Sequence, residues 1–93
     1  MSYLVECYWP GVSEEKLAAV AERAQQAARR LRRQGRVLRF RGSLLVPEDE
    51  TVFCFFDGEE ADVRSASEQA GMPFERVLVS LRIDGKRQMK EER

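Results

Sequence analysis

The sequence predicts an α+β domain in the order βαββαβ, compressed into 93 residues. Two observations carry this prediction. Each half of the chain holds one amphipathic helical pattern flanked by β-type runs, and neither half has enough strands to form a sheet alone. The halves are therefore expected to interleave as a split βαβ pair, which is a ferredoxin-like fold. Its antiparallel four-stranded sheet would have the strand order 4-1-3-2, with two helices on one face.

The first strand and the first helix have clear patterns. Residues 3–9 are aromatic and β-branched, which is typical of a strand. Ser13 is a good N-cap, and Gly35 is suited to the left-handed residue that follows a helix. Between them, apolar residues recur at steps of three and four and predict a helix of about 21 residues. These are Leu17, Val20, Ala21, Ala24, Ala27, Ala28 and Leu31.

Residues 36–46 and 51–56 predict the second and third strands. Gly42 lies inside the second strand and indicates a bulge or a close backbone approach. We expect one face of this strand to carry Leu38, Phe40, Leu44 and Val46, and the other to carry Val37, Arg39, Arg41, Ser43 and Leu45. The third strand is apolar at nearly every position, which is typical of a strand covered on both sides.

The second helix is predicted over residues 60–70 and the fourth strand over residues 76–83. Gly71 and Pro73 end the helix. Its apolar face is thin and consists of Ala61, Val63, Ala66 and Ala70. The chain is therefore predicted to form one ferredoxin-like domain over residues 1–83, followed by a charged C-terminal tail over residues 84–93.

The sheet face opposite the helices is predicted to be aromatic in its centre and charged at its flanks. Its central residues would be Leu4, Glu6, Tyr8, Phe53 and Phe55, with Arg39, Arg41, Ser80 and Arg82 toward the edges. A surface of this kind usually meets a second copy of itself. We therefore expect a homodimer that forms through the sheet faces.

Composition excludes several classes of function. Histidine is absent, which removes the usual general base near neutral pH and the commonest metal ligand. No apolar stretch approaches the ~20 residues that cross a bilayer, and acidic Glu6 comes too early for a signal peptide. Two cysteines in such a chain favour a reduced, cytoplasmic protein without a membrane partner.

Three spaced motifs resemble those of the small actinobacterial nickel-binding, nickel-responsive proteins. They are residues 10–15 (PGVSEE), residues 46–51 (VPEDET) with Phe53-Cys54-Phe55, and residues 70–77 (AGMPFERV). The resemblance covers residues 3 to about 80. It implies a ferredoxin-like fold that dimerises into an α/β barrel, and a role in handling a divalent metal. Nickel is thus a cofactor that the resemblance alone implies.

One candidate site is a polar pocket on the open sheet face. In this pocket Glu6 would accept a hydrogen bond or act as a base, and Tyr8 would donate a hydrogen bond. The guanidinium group of Arg39, Arg41 or Arg82 would bind an anion. A carboxylate among arginines has a lowered pKa, which suits binding better than proton abstraction. The alternative that we favour is a structural ion pair of Glu6 with an arginine across the dimer core.

A metal site would depend on Glu6, Cys7, Cys54, the acidic turn at residues 48–50 or backbone groups. Two sulfurs without further histidine or cysteine do not complete a site for nickel or zinc. We therefore favour the interpretation that Cys7 and Cys54 are buried thiols acting as small apolar side chains.

The arginine-rich run at residues 29–41 is the remaining functional candidate. Net charge is zero and the RNA-binding motif of ferredoxin-like RNA-recognition domains is absent from residues 51–57. Nucleic acid is therefore a disfavoured partner, and the acidic run at residues 48–62 is a natural counterpart. The favoured function is a small non-catalytic binding protein of the nickel-binding kind. The alternatives are a cofactor-independent enzyme of the dimeric α/β-barrel kind, monooxygenase- or isomerase-like, and an RNA-binding module.

Overall fold

The computed structural model describes residues 1–83 and 85, so all but one residue of the predicted tail lies outside the described part. Its elements follow the predicted βαββαβ order. They are β1 (Ser2–Tyr8), α1 (Glu14–Arg33), β2 (Arg39–Val46), a 3₁₀ turn (Pro47–Asp49), β3 (Thr51–Asp57), α2 (Glu60–Gln69) and β4 (Phe74–Val79).

The four strands form one sheet in the order β2-β3-β1-β4, and each neighbouring pair is antiparallel. This is the predicted order, counted from the other edge. The predicted ferredoxin-like α+β fold is therefore confirmed. No helix among the described residues has both the length and the apolar character needed to cross a membrane.

Helix α1 begins and ends where local chemistry predicts. The Ser13 hydroxyl accepts a hydrogen bond from the Lys16 N–H at 3.2 Å, and Gly35 takes a φ of 88° after the last turn. Val20, Ala24 and Leu31 are buried on the predicted stripe. Because the stripe is rich in alanine, the helix can lie close to the sheet.

The core lies between the helices and one face of the sheet. Alternate residues of β1 and β3 point into it, namely Tyr3, Val5, Cys7, Val52, Cys54 and Phe56. Leu38 and Met72 close its ends, and the rings of Phe40 and Phe56 lie 5.2 Å apart at its β2 side. Every buried side-chain oxygen and nitrogen in the described residues has a hydrogen-bond partner.

The bulge predicted at Gly42 is present, but it changes the faces of β2. The β2–β3 register shifts between Phe40 and Gly42, where Gly42 has a φ of 123°. A bulge adds one residue and so reverses the alternation that follows it. As a result, Ser43 and Leu45 face the helices, whereas Leu44 pairs with Phe53 on the open face. The predicted assignment of residues 43–46 to the two faces was therefore wrong.

Two predicted boundaries also differ in the second half. Strand β4 spans Phe74–Val79 rather than residues 76–83, because Leu81 and Ile83 are exposed and follow the last strand pairing. In α2 the buried face includes Asp62 and leaves Ala61 exposed. A bidentate contact from Arg36 satisfies the Asp62 carboxylate and makes its burial tolerable.

Candidate functional site on the open face of the sheet

The open face is the side of the sheet that α1 and α2 leave uncovered. Cross-strand partners point to the same side of a sheet, so the register sorts its residues into rows. The two central rows consist of Leu44, Phe53, Glu6 and Arg76, and of Gly42, Phe55, Leu4 and Leu78. Leu4, Glu6, Tyr8, Phe53 and Phe55 therefore lie on this face, as predicted.

Most side chains in these rows are apolar and only partly shielded from water. Leu44 is 54% exposed, and Phe53 and Phe55 are half-buried; Tyr8, which lies beyond these rows at the end of β1, is 52% exposed. No described residue forms a second layer over them. The two central rows thus form a continuous apolar surface that contains one charged pair.

That charged pair joins Glu6 to Arg76. Arg76 Nε donates to Glu6 Oε1 at 2.6 Å across the β1–β4 pairing. The hydrogen bond to Glu6, and then the charge of that carboxylate, raises the pKa of Arg76 above its usual value. Glu6 does lie beside an arginine, as predicted, but the pair forms within one chain, and Arg76 was not among the candidates. Strand alternation could have indicated Arg76, because it shares a face with Leu78.

A second polar group lies at the end of the open face where β1 begins. The Asp57 carboxylate accepts from the Ser2 hydroxyl at 2.7 Å and from Arg41 Nη1 at 2.8 Å. The Ser2 hydrogen bond and the nearby Arg41 lower the pKa of Asp57, against the opposing effect of its slight burial. Asp57 therefore remains an anion that two donors hold in place.

The five candidates for the polar pocket divide between the two ends of the sheet. Arg39 pairs with Asp57 in the β2–β3 register, and Arg41 and Arg82 line one pocket at the same end. Glu6 and Tyr8 lie further along β1, with Tyr8 at its far end. The structure thus brings the three arginines toward one end and separates them from the carboxylate.

The metal-ligand candidates also lie apart. Cys7 and Cys54 are fully buried toward the helices, whereas Glu6 is on the open face. Burial, followed by the charges of Cys54 and Glu6, raises the pKa of Cys7 to about 12. Burial also raises the pKa of Cys54, although a contact of 3.6 Å with the Ser43 hydroxyl opposes the shift. Both sulfurs are therefore protonated thiols, which are poor ligands and poor nucleophiles.

The acidic turn has a structural role in the described chain. Glu50 Oε2 accepts from the Gly11 N–H at 2.8 Å, and the Glu50 carbonyl accepts from the Trp9 N–H at 2.7 Å. These bonds hold the β1–α1 loop against the β2–β3 turn. Within the described residues, no three His, Cys, Asp or Glu side chains cluster as a metal site. The donors of one chain, over that part, do not fit a nickel site.

Several residues of the arginine-rich run bind within the same chain. Arg36 contacts the buried Asp62 at 2.9 Å, Arg32 donates to the Leu38 carbonyl at 2.7 Å, and Arg30 reaches Gln69 at 2.9 Å. The pairs Arg36–Asp62 and Arg41–Asp57 join the basic run to the acidic run, as the sequence predicts. This use of the arginines is structural.

Two pockets stand out among the described residues. One, of about 320 Å³, is at the Ser2–Asp57 end of the open face. The other, of about 400 Å³, lies between Met1 and the loops at Arg36 and Gly58. An enzyme of the dimeric α/β-barrel kind would need a cleft between helices and sheet; the first pocket lies on the open face, whereas the second reaches Asp62 of α2.

Comparisons with known proteins agree with this fold. Among solved structures, the crystal structure of SCO4226 from Streptomyces coelicolor A3(2) is similar, with a TM-score of 0.65 and 20% sequence identity. The match covers 89% of this chain and 100% of that one. No curated protein matches the chain. The family model described as "Nickel responsive protein SCO4226-like" matches residues 3–79. The chain therefore belongs to the SCO4226-like family of nickel-responsive proteins.

Proposed function

We propose that this protein is a small, non-catalytic binding protein that acts in nickel handling as a homodimer, with the open faces of two sheets packed together. The observation that carries the proposal is the uncovered apolar surface formed by Leu44, Phe53, Phe55 and their neighbours. A surface of this size and composition on a small domain calls for a partner.

A second copy is the partner that fits the open face best. Sheets pack face to face at about 10 Å, with apolar side chains interdigitating between them. The apolar rows of one copy would meet the same rows of the other around a two-fold axis. The Glu6–Arg76 pair is already matched within one chain, so its burial would leave no unpaired charge.

The non-catalytic part of the proposal has its support in the chemistry of the side chains. The chain has no histidine, and its two thiols are buried and have raised pKa values. Glu6 is held by Arg76 rather than poised to accept a proton from a ligand. Free, reduced cysteines also fit the reducing cytoplasm, where we propose that the protein acts.

Family membership supports the link to nickel, and the donor set of this chain argues for weak binding. Nickel favours imidazole and thiolate ligands, and neither is offered here. In a dimer, Glu6 and its symmetry-related copy are the carboxylates of the two central rows, which would approach the interface. We therefore expect nickel to bind through oxygen atoms and to be removed readily by a chelator.

Native mass spectrometry of the untagged protein, with and without added nickel, tests this proposal. We expect a dimer that takes up nickel only at high metal concentration, and less of it in Glu6→Gln. The matched control is Glu48→Gln, which removes a carboxylate from the exposed turn and leaves the open face unchanged. A monomer at micromolar concentration, or nickel that survives chelation at one ion per chain, would contradict the proposal. RNA-dependent mass shifts that weaken steeply with salt would favour the RNA-binding alternative.

A further inference from the structure

The pocket at the Ser2–Asp57 end of the open face is a second site, which adjoins the apolar rows and shares Phe55 with them. It encloses about 320 Å³ where β1, β2 and β3 meet the segment that follows β4. The Ser80 N–H donates to the Ser2 carbonyl at 2.9 Å, which holds that segment beside β1. The side chains that matter to its chemistry are Ser2, Arg41, Phe55, Asp57, Ser80 and Arg82.

The pocket has an excess of positive charge. The charged residues that line it are two arginines, Arg41 and Arg82, and one acid, Asp57. The Ser2 hydroxyl and Arg41 Nη1 already bind that carboxylate. Among the described residues Arg41 contacts Asp57 through Nη1 alone, which leaves Nε and Nη2 for a ligand. A guanidinium presents five N–H groups, so one ion pair does not exhaust its capacity.

The pocket also has an apolar wall. Phe55 lies in the open face at this end, next to the bulge at Gly42, and its ring borders the pocket together with Leu81. Because Gly42 has no side chain, nothing from that position covers the ring. A volume of this size is at the lower end of the range for small-molecule sites. It accommodates a single ring or a short branched chain.

We propose that this pocket binds a small organic carboxylate whose apolar body packs against Phe55. Arg82 and the free nitrogens of Arg41 would hold the carboxylate, because guanidinium and carboxylate groups form paired, charge-assisted hydrogen bonds. The Ser80 hydroxyl is a further donor at the rim. All of these residues belong to one chain, so the site needs neither a residue of a second copy nor nickel, although it shares Phe55 with the face that the proposed dimer covers.

Titration of the full-length, ¹⁵N-labelled protein with benzoate tests the proposal. We expect saturable changes at the amides of Asp57, Ser80 and Arg82, and at least about tenfold weaker binding of benzamide, which has the same shape without the charge. Acetate should also bind more weakly because it lacks the apolar body. Inorganic phosphate binding as well as benzoate would show a general anion site and overturn the carboxylate assignment.

Two variants locate the site. Arg82→Ala should weaken benzoate at least about tenfold, since it removes a charged partner. Arg39→Ala is the matched control, because it removes an exposed arginine from the same end of the sheet that does not line the pocket, and it should change the affinity less than about twofold. Equal losses in both variants, or shifts that do not saturate, would overturn the proposal. Arg82 is exposed, and the spectrum of the variant reports its folding directly.

Discussion

The two faces of the sheet have similar apolar side chains and different environments. On the helix-covered face, the β1 and β3 side chains are at most 8% exposed. On the open face, Phe53 and Phe55 are half-buried and Leu44 is more than half exposed. The two central strands thus carry core-type residues on both sides, although the described chain supplies helices for only one. The difference supports our proposal that a second copy covers the open face.

The charged pairs of the two layers show the same contrast. In the helix layer, the Asp62 side chain is 7% exposed and Arg36 binds it through both carboxylate oxygens. On the open face, the Glu6 side chain is 26% exposed and binds Arg76 through one nitrogen. The Asp62 carboxylate is thus already shielded from water in the single chain. The Glu6 carboxylate keeps part of its hydration and would lose it only when a partner covers the open face.

The largest expected difference in the free energy of unfolding is between alanine variants of two phenylalanines on opposite faces of β3. Phe56→Ala creates a cavity in the closed core and should lower the free energy of unfolding by about 3–5 kcal/mol. Phe53→Ala, in dilute protein, should lower it by only about 1 kcal/mol, because its ring is partly in water. Chemical denaturation of both variants measures this difference. Equal losses in dilute protein would mean that the two faces are equivalent in the single chain.

The buried thiols provide a test of the covered face by pH. The Cys7 thiol ionises near 9.0 in the unfolded chain and near 12 in the native protein. Since the unfolded state releases the proton first, rising pH favours unfolding across that window, by at most roughly 4 kcal/mol. Below pH 9.0 the contribution is constant. Cys7→Ala should reduce the slope of the free energy of unfolding between pH 9 and the alkaline limit. A slope unchanged in the variant would show that Cys7 is not shielded as described.

Amide substitutions of Asp62 and Glu6 test how much each ion pair, with Arg36 or with Arg76, contributes to stability. Asp62→Asn should lower the free energy of unfolding by about 1–2 kcal/mol, because a buried charge-assisted pair is weakened. Glu6→Gln should have a smaller effect in dilute protein, since water replaces part of the lost interaction. Thermal or chemical denaturation at low concentration checks the order. The reverse order would indicate that Glu6 is the more deeply embedded acid.

Local sequence patterns predicted the helices and strands. The residues that meet on the open face depend instead on how strands distant in sequence pair. Helix α1 and the core residues of β1 and β3 follow from periodicity that a single strand or helix displays by itself. Beyond Gly42, however, Leu44 and Leu45 lie on the faces opposite to those predicted. The reason is that the bulge inserts one residue and so reverses the alternation that follows it. The effect of the bulge on the two faces depends on how β2 pairs with β3. The alternation of residues along β2 alone does not give that pairing.

The partner of Glu6 shows the same limit. Its arginine is 70 residues away in the chain, on a strand that pairs with β1 only after the whole fold has closed. Arg76 stands in the predicted fourth strand, but the register that opposes it to Glu6 is tertiary information. The position of Arg82 in the same pocket as Arg41 and Asp57 likewise depends on where β4 ends, and the predicted end lies four residues beyond the observed one.

Sedimentation equilibrium at micromolar concentration tests the central claim most directly. If a second copy covers the open face, the native protein sediments at twice the chain mass, and Leu44→Glu, which places a charge in the apolar rows, converts it to a folded monomer. Val37→Glu places the same charge at a residue that is 77% exposed and outside the strands, and should leave the dimer intact. A native protein that sediments as a single chain, or a dimer that Leu44→Glu does not dissociate, would contradict the account.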